Sequence, residues 1–266
     1  MNNIFSISRF ANLFKKHTTE HYKTYLMSLV VLMGILLACT AFFAYVARNI
    51  MNEEAQFGIY ISFMLISGTI FTSGVFTDLS ETKKAIATLT LPASHFEKFM
   101  VKWLYSYVIF VVLYTCVFYM IMIPVQSMIV SDGHKMGLLN IFRPDNFRYI
   151  LISYTLAHAI TMLGAIMFKK LHFIKTCFTM IGIFIVITVS NKWIVEGMIG
   201  RKVMGAFPFL NFNFIENDKL GDANNNHFYT ISLPENAGVC WTYALVAVFT
   251  LLFWAAAYSR LKEKQV

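Results

Sequence analysis

The sequence predicts an all-α, polytopic membrane protein with six transmembrane helices, and two observations predict it. Of 266 residues, 58% are hydrophobic and only 14% are charged, with a mean hydropathy of +0.60. A soluble domain carries about 45–50% apolar and about 25% charged residues. The apolar residues are also gathered into six runs, each long enough to carry a helix across ~30 Å of hydrocarbon, which takes ~20 residues. Runs of this length without period-2 alternation satisfy their backbone groups in lipid only as helices.

The elements follow in order. Within 1–22, Ile7, Phe10, Ala11 and Phe14 recur at helical spacing opposite Arg9, Asn12, Lys15 and Lys16. That pattern predicts a basic amphipathic helix lying in the membrane interface. The first span is 24–46. It contains Leu36-Leu37-Ala38-Cys39, which half-resembles a lipoprotein cleavage box, but the apolar run continues through Val46, whereas a signal's apolar core ends at its cut. The second span is 57–76, and the third lies within 103–131, where no Asp, Glu, Lys or Arg occurs. The fourth is 149–168, the fifth 174–193 and the sixth 240–258. Fourteen of the 22 Lys and Arg fall on the amino-terminal side of this layout, which predicts cytoplasmic termini.

The stretch between spans two and three, 77–102, is the most informative. Asp78-Leu79-Ser80-Glu81 has the spacing of a capping box, and a helix over 79–90 follows, with Leu79, Ile86 and Leu89 on one side. Pro92 stops it, because the residue before a proline is pushed out of the helical region. Ser94-His95-Phe96-Glu97 is a second capping box that opens the helix of span three, with Glu97, Lys98 and Lys102 expected to stay wet. A simple connector needs only a few residues, so a separately capped helix here reads as a docking element. The loop 194–239 divides in two: 194–214 is expected as a short helix or hairpin and 216–236 as an irregular exposed loop.

Composition and motifs exclude several functions. The net charge of +8 does not indicate nucleic acid, because the cations sit between apolar runs and not in one patch. Cys39, Cys116, Cys177 and Cys240 lie in or beside apolar runs and form no disulfide framework. His17, His21, His95, His134, His172 and His227 lack metal-ligand spacing. No H-E-x-x-H or paired deep aspartates occur, and no phosphate-binding G-x-x-x-x-G-K-[ST]. The expectation is therefore no enzyme activity on this chain and no catalytic, cofactor or metal residues. No Asp, Glu, Lys or Arg lies in mid-span. His158 alone is ionisable at depth. Such a residue is either a coupling-ion site or, on the reading preferred here, a partner for a neighbouring helix's backbone or Ser/Thr.

This layout resembles the type-2 ATP-binding-cassette (ABC) permeases, bacterial exporter membrane subunits with six spans. The run Leu91-Pro92-Ala93-Ser94-His95-Phe96-Glu97-Lys98-Phe99, followed by Lys102-Trp103-Leu104, is similar to an LPAS..EKF...WL pattern of bacterial permeases of this class. The resemblance implies one permease domain over 1–266, paired with a second permease chain, same or related, in the bacterial inner membrane. It also implies a separate ABC ATPase subunit docked on the inner side. The helix over 79–90 becomes the cytoplasmic coupling helix. Leu79, Glu81, Lys83, Lys84, Ile86, Leu89, Pro92 and Glu97 are the expected docking residues, and 4–17 is the interfacial elbow helix. The Met- and aromatic-rich spans suit an amphiphilic cargo. The alternative is a non-transporting membrane protein (an assembly, sensing or immunity factor) that uses the same helix to hold a partner, with a membrane-embedded enzyme as a third reading.

Overall fold

The computed structural model describes residues 5–47, 51–77, 93–129, 137–168, 171–200, 203–205, 212–215, 228–231 and 235–263. Among them are six helices long and apolar enough to cross a membrane. The chain divides into two compact units, 1–173 with 250–266, and 174–249.

The first unit holds α1 (Ile7–Ala47) and α2 (Glu53–Thr77). Next comes α3 (His95–Leu104), which runs through a five-residue π-helical turn, Tyr105–Ile109, into α4 (Phe110–Ile129). The fourth span is α5 (Pro144–Met167), with Pro144 at the first helical position, where its missing N–H costs nothing. The helix pair α2 and α5 is the most extensive in the unit.

Two apolar clusters organise it. One joins Leu36, Tyr60, Met64, Tyr114, Phe118, Ile150 and Tyr154. The other joins Val75, Phe76, Phe99, Met162, Ile166, Ala257 and Leu261 near the opposite end.

Two expectations are corrected here. The helix expected over 1–22 is not separate from span one. It is helical from Ile7 and continues unbroken through Ala47, because the 41 residues hold no Pro and a single Gly, and sharp kinks need such residues. Glu97, Lys98 and Lys102, expected to be wet, are 0%, 3% and 4% exposed. The first turn of α1 and the end of α2 pack over the polar face of α3.

The second unit starts within α6 (His172–Ile199), which runs past the expected end of span five. Gly200 ends it with φ +69°, and its N–H bonds the Glu196 carbonyl at 2.9 Å. This is the left-handed stop that glycine reaches without strain. Three short strands follow, β1 (Val203–Gly205), β2 (Phe212–Ile215) and β3 (Phe228–Ile231). They form one antiparallel sheet in the order β1-β2-β3, with Phe212 opposite Ile231 and Phe214 opposite Tyr229.

The expected short helix or hairpin over 194–214 is thus realised as both, the end of α6 and the β1–β2 pair. Strand β3 corrects the reading of 216–236 as irregular throughout. Phe228-Tyr229-Thr230-Ile231 consists entirely of good strand formers, which their Asn-rich neighbours hide. The last helix, α7 (Glu235–Glu263), begins five residues before the expected span, and its residues from Thr250 onward belong to the first unit.

Candidate functional site

Of the residues expected to dock a partner, Leu79, Glu81, Lys83, Lys84, Ile86, Leu89 and Pro92 lie outside the described residues. What is described is the frame around them: the end of α2, the start of α3, and the first turns of α1 packed on α3.

The second capping box forms as read. The Glu97 N–H donates to Ser94 Oγ at 3.2 Å, and the Ser94 N–H donates back to Glu97 Oε2 at 2.9 Å. The other carboxylate oxygen leaves the helix. Glu97 Oε1 accepts the Ser6 N–H at 2.7 Å and Arg9 Nη2 at 3.2 Å. Ser6 sits at the head of α1, where its carbonyl takes the Phe10 N–H. One buried carboxylate therefore serves the positive ends of two helices. Glu97, expected among the docking residues, is buried here as an internal brace between two helix heads. A capping box is readable from spacing, but the use of its second oxygen depends on the fold.

Substituting Glu97 by Ala is expected to destabilise the solubilised protein by about 2–4 kcal/mol. That is the loss of a cap worth ~0.5–2 kcal/mol together with charged hydrogen bonds of ~1.5–3 kcal/mol. Glu97→Gln, which keeps one acceptor, should lose less. Thermal unfolding in detergent measures both, and an Ala variant as stable as the parent would rule the brace out.

Further contacts hold the frame. Lys102 Nζ donates to the Val75 carbonyl at 3.1 Å, joining the end of α2 to the last turn of α3. On α1, the Phe14 ring stacks on Tyr105 at 4.8 Å, and His17 meets the same ring edge-on at 4.8 Å. Thr18 hydrogen-bonds the Tyr105 hydroxyl, and Tyr25 the His17 Nε2. Tyr105 opens the π turn, so α1 is pinned where the third span widens.

That turn has a visible cause. The Phe110 N–H, which in an α-helix would bond the Ser106 carbonyl, goes to Tyr105 O instead. The Ser106 carbonyl takes the Tyr154 hydroxyl at 2.7 Å. Ser106 Oγ donates to Lys102 O at 2.9 Å and lies 2.8 Å from His158 Nε2. The ring nitrogen is thus the donor to Oγ. His158, 0% exposed, bonds a neighbouring helix's serine, as expected. Tyr107 adds a hydroxyl contact to Thr155 at 2.6 Å. Gly68 on α2 makes this packing possible: a Cβ there would stand 2.4 Å from the Tyr154 ring and 2.9 Å from Phe110.

At the far end of the unit, Gln56 Nε2 donates to the carbonyls of Met51 and Gly137, and its Oε1 accepts the Leu139 N–H. Gln126 Nε2 also reaches Met51 O, and the Tyr119 hydroxyl reaches Leu139 O. This clamp holds 137–139 against α2 and α4. Sequence reading missed it, although a Gln inside an apolar run was its available signal. Among the described residues, no group of three or more His, Cys, Asp or Glu is placed to hold a metal ion.

Six helices long and apolar enough to cross a membrane define the class: an α-helical, multi-pass membrane protein. The chain matches no family model, no curated protein and no solved structure.

Proposed function

We propose that the chain is the membrane-spanning permease subunit of an ATP-driven ABC exporter in the bacterial cytoplasmic membrane. Its termini face the cytoplasm, and it works with a second permease chain and a separate ATPase subunit. The observation that carries this reading is the frame around 78–92. Lys102 joins the end of α2 to the last turn of α3, and Glu97 joins the start of α3 to the head of α1. A push delivered to 78–92 is thereby shared among α1, α2 and α3 at once, as a coupling element requires. The capped, two-sided pattern of 79–90, the similarity of 91–104 to an LPAS..EKF...WL pattern of bacterial permeases and the excess of Lys and Arg on this side support the same reading. ATP-driven closure of two ATPase subunits would tilt the spans through this frame and switch access, and hydrolysis would reset them.

The test is co-purification. The solubilised protein is expected to bring down a polypeptide carrying G-x-x-x-x-G-K-[ST] and an ABC signature, and in vesicles to move solute only with ATP. Uphill flux driven by a proton or sodium gradient with this chain alone would sink the proposal. A partner without a nucleotide site would favour the assembly, sensing or immunity reading.

His158 sharpens the test. Because its Nε2 is engaged by Ser106, His158→Asn is expected to leave transport largely intact, at a stability loss of about 0.5–1.5 kcal/mol. Loss of transport by a well-folded Asn variant would restore the ion-coupled alternative.

A further inference from the structure

A cavity of about 390 Å³ opens on the side of the first unit, bounded by α1, α2 and the third span from the π turn onward. Its volume falls in the range of sites for small ligands, ~300–1,000 Å³. Tyr25, Met27 and Ile35 line it from α1, Ile70 from α2, and Tyr105 and Val117 from the third span. Along α1 the lining runs from Tyr25 to Ile35, ten steps of ~1.5 Å or roughly 15 Å. That is about half of a ~30 Å hydrocarbon core. The cavity therefore occupies the depth of one leaflet, the one on the side of the amino-terminus.

Its polar groups are already spent. Ser28 Oγ donates to Thr24 O, Ser67 Oγ to Phe63 O and the Tyr114 hydroxyl to Tyr60 O. The Tyr25 and Tyr105 hydroxyls are held by His17 and Thr18. The cavity selects hydrocarbon, because a polar ligand would lose its water and find no partner. Tyr25, the first residue of α1 in the lining, follows a cationic stretch of the same helix. Exposed Lys23 sits one helical turn before Met27, on the adjoining strip of the helix, and Lys15, Lys16 and Arg9 precede it. Basic residues at this level attract anionic head groups.

We infer that this cavity binds one acyl chain of an anionic bilayer phospholipid, with its head group at Lys23. The site lies wholly within the first unit and does not depend on an ATPase. The chain would lie between α1 and the third span, completing a packed surface that the protein leaves open.

The protein is reconstituted in phosphatidylcholine vesicles containing phosphatidylglycerol with a diazirine-bearing acyl chain, irradiated, and mapped by peptide mass spectrometry. Labelling at Leu32, Ile70 and Leu113 is expected to exceed several-fold that at Phe178, an exposed residue of α6, and to fall when unlabelled phosphatidylglycerol is added. Leu113→Trp and Val31→Trp fill the cavity from opposite sides, and each should remove the excess while leaving Phe178 labelled. Lys23→Gln should weaken the preference for phosphatidylglycerol over a phosphatidylcholine probe by roughly fivefold. Equal labelling at cavity and Phe178, or an excess that survives both Trp variants, overturns the site. Equal labelling by both probes overturns the anionic head group. A cavity that takes no label shows that another protein chain covers it and overturns the inference as a whole.

Discussion

Replacing Ile86 and Leu89 together by Asp is expected to abolish association with the ATPase subunit while leaving the six spans inserted. Both residues lie outside the described part of the chain, so the expectation rests on the helical spacing that puts them with Leu79 on one apolar side. A docking helix seats that side in a groove, and a carboxylate forced into an apolar groove loses its hydration without a partner. Central contacts of an interface cost 2 kcal/mol or more when lost. Two of them amount to about 4 kcal/mol, roughly a thousandfold in Kd. Pull-down of the ATPase measures the effect, and membrane fractionation with thermal unfolding checks that the variant is intact. Normal binding by the double variant would end the docking assignment, while the frame of Glu97 and Lys102 would stand.

The second large effect is expected inside the bundle. Gly68→Ala puts a methyl carbon 2.4 Å from the Tyr154 ring and 2.9 Å from Phe110, closer than any carbon contact tolerates. Both obstacles are rings packed in the core, so they yield only by moving α2 away from α5, which carries Tyr154, and from α4, which carries Phe110. Overpacking of this kind costs about 1–3 kcal/mol. Displacing Tyr154 also releases its hydroxyl from the Ser106 carbonyl at the π turn, adding the ~1–3 kcal/mol of a buried group left unsatisfied. Tyr154→Leu in the same chain frees space and should recover part of the loss, whereas Tyr154→Phe keeps the ring and should recover little. If Gly68→Ala melts in detergent at the parent's temperature, the close approach of α2 to the Tyr154 ring is wrong.

Much of this fold was legible because lipid imposes a simple requirement. Twenty apolar residues in a row have few other uses, and all six spans were found at nearly their observed places. The Ser94–Glu97 box was equally legible, since a cap is a local pattern. The reading of Lys98 and Lys102 failed for the opposite reason. Cations on one helix face read as solvated, and only the fold places the first turn of α1 and the end of α2 over them. The π turn has no spacing of its own in the sequence. It exists because Tyr154, from a helix about 50 residues away, takes the Ser106 carbonyl. Strand β3 was obscured by its Asn-rich surroundings. His158 was readable because an imidazole beside another helix has an obvious partner type, and Ser106 supplies it.

The unbroken course of α1 has a mechanical meaning. At ~1.5 Å per residue, 41 residues make a rod about 60 Å long, twice the thickness of the oil it crosses. Among the described residues, α1 meets Tyr105 of the π turn through Phe14, His17, Thr18 and Tyr25, all in its amino-terminal half, and it also packs along α4. A load on the arm that carries Arg9 therefore enters the third span at two levels, through Glu97 and through Tyr105.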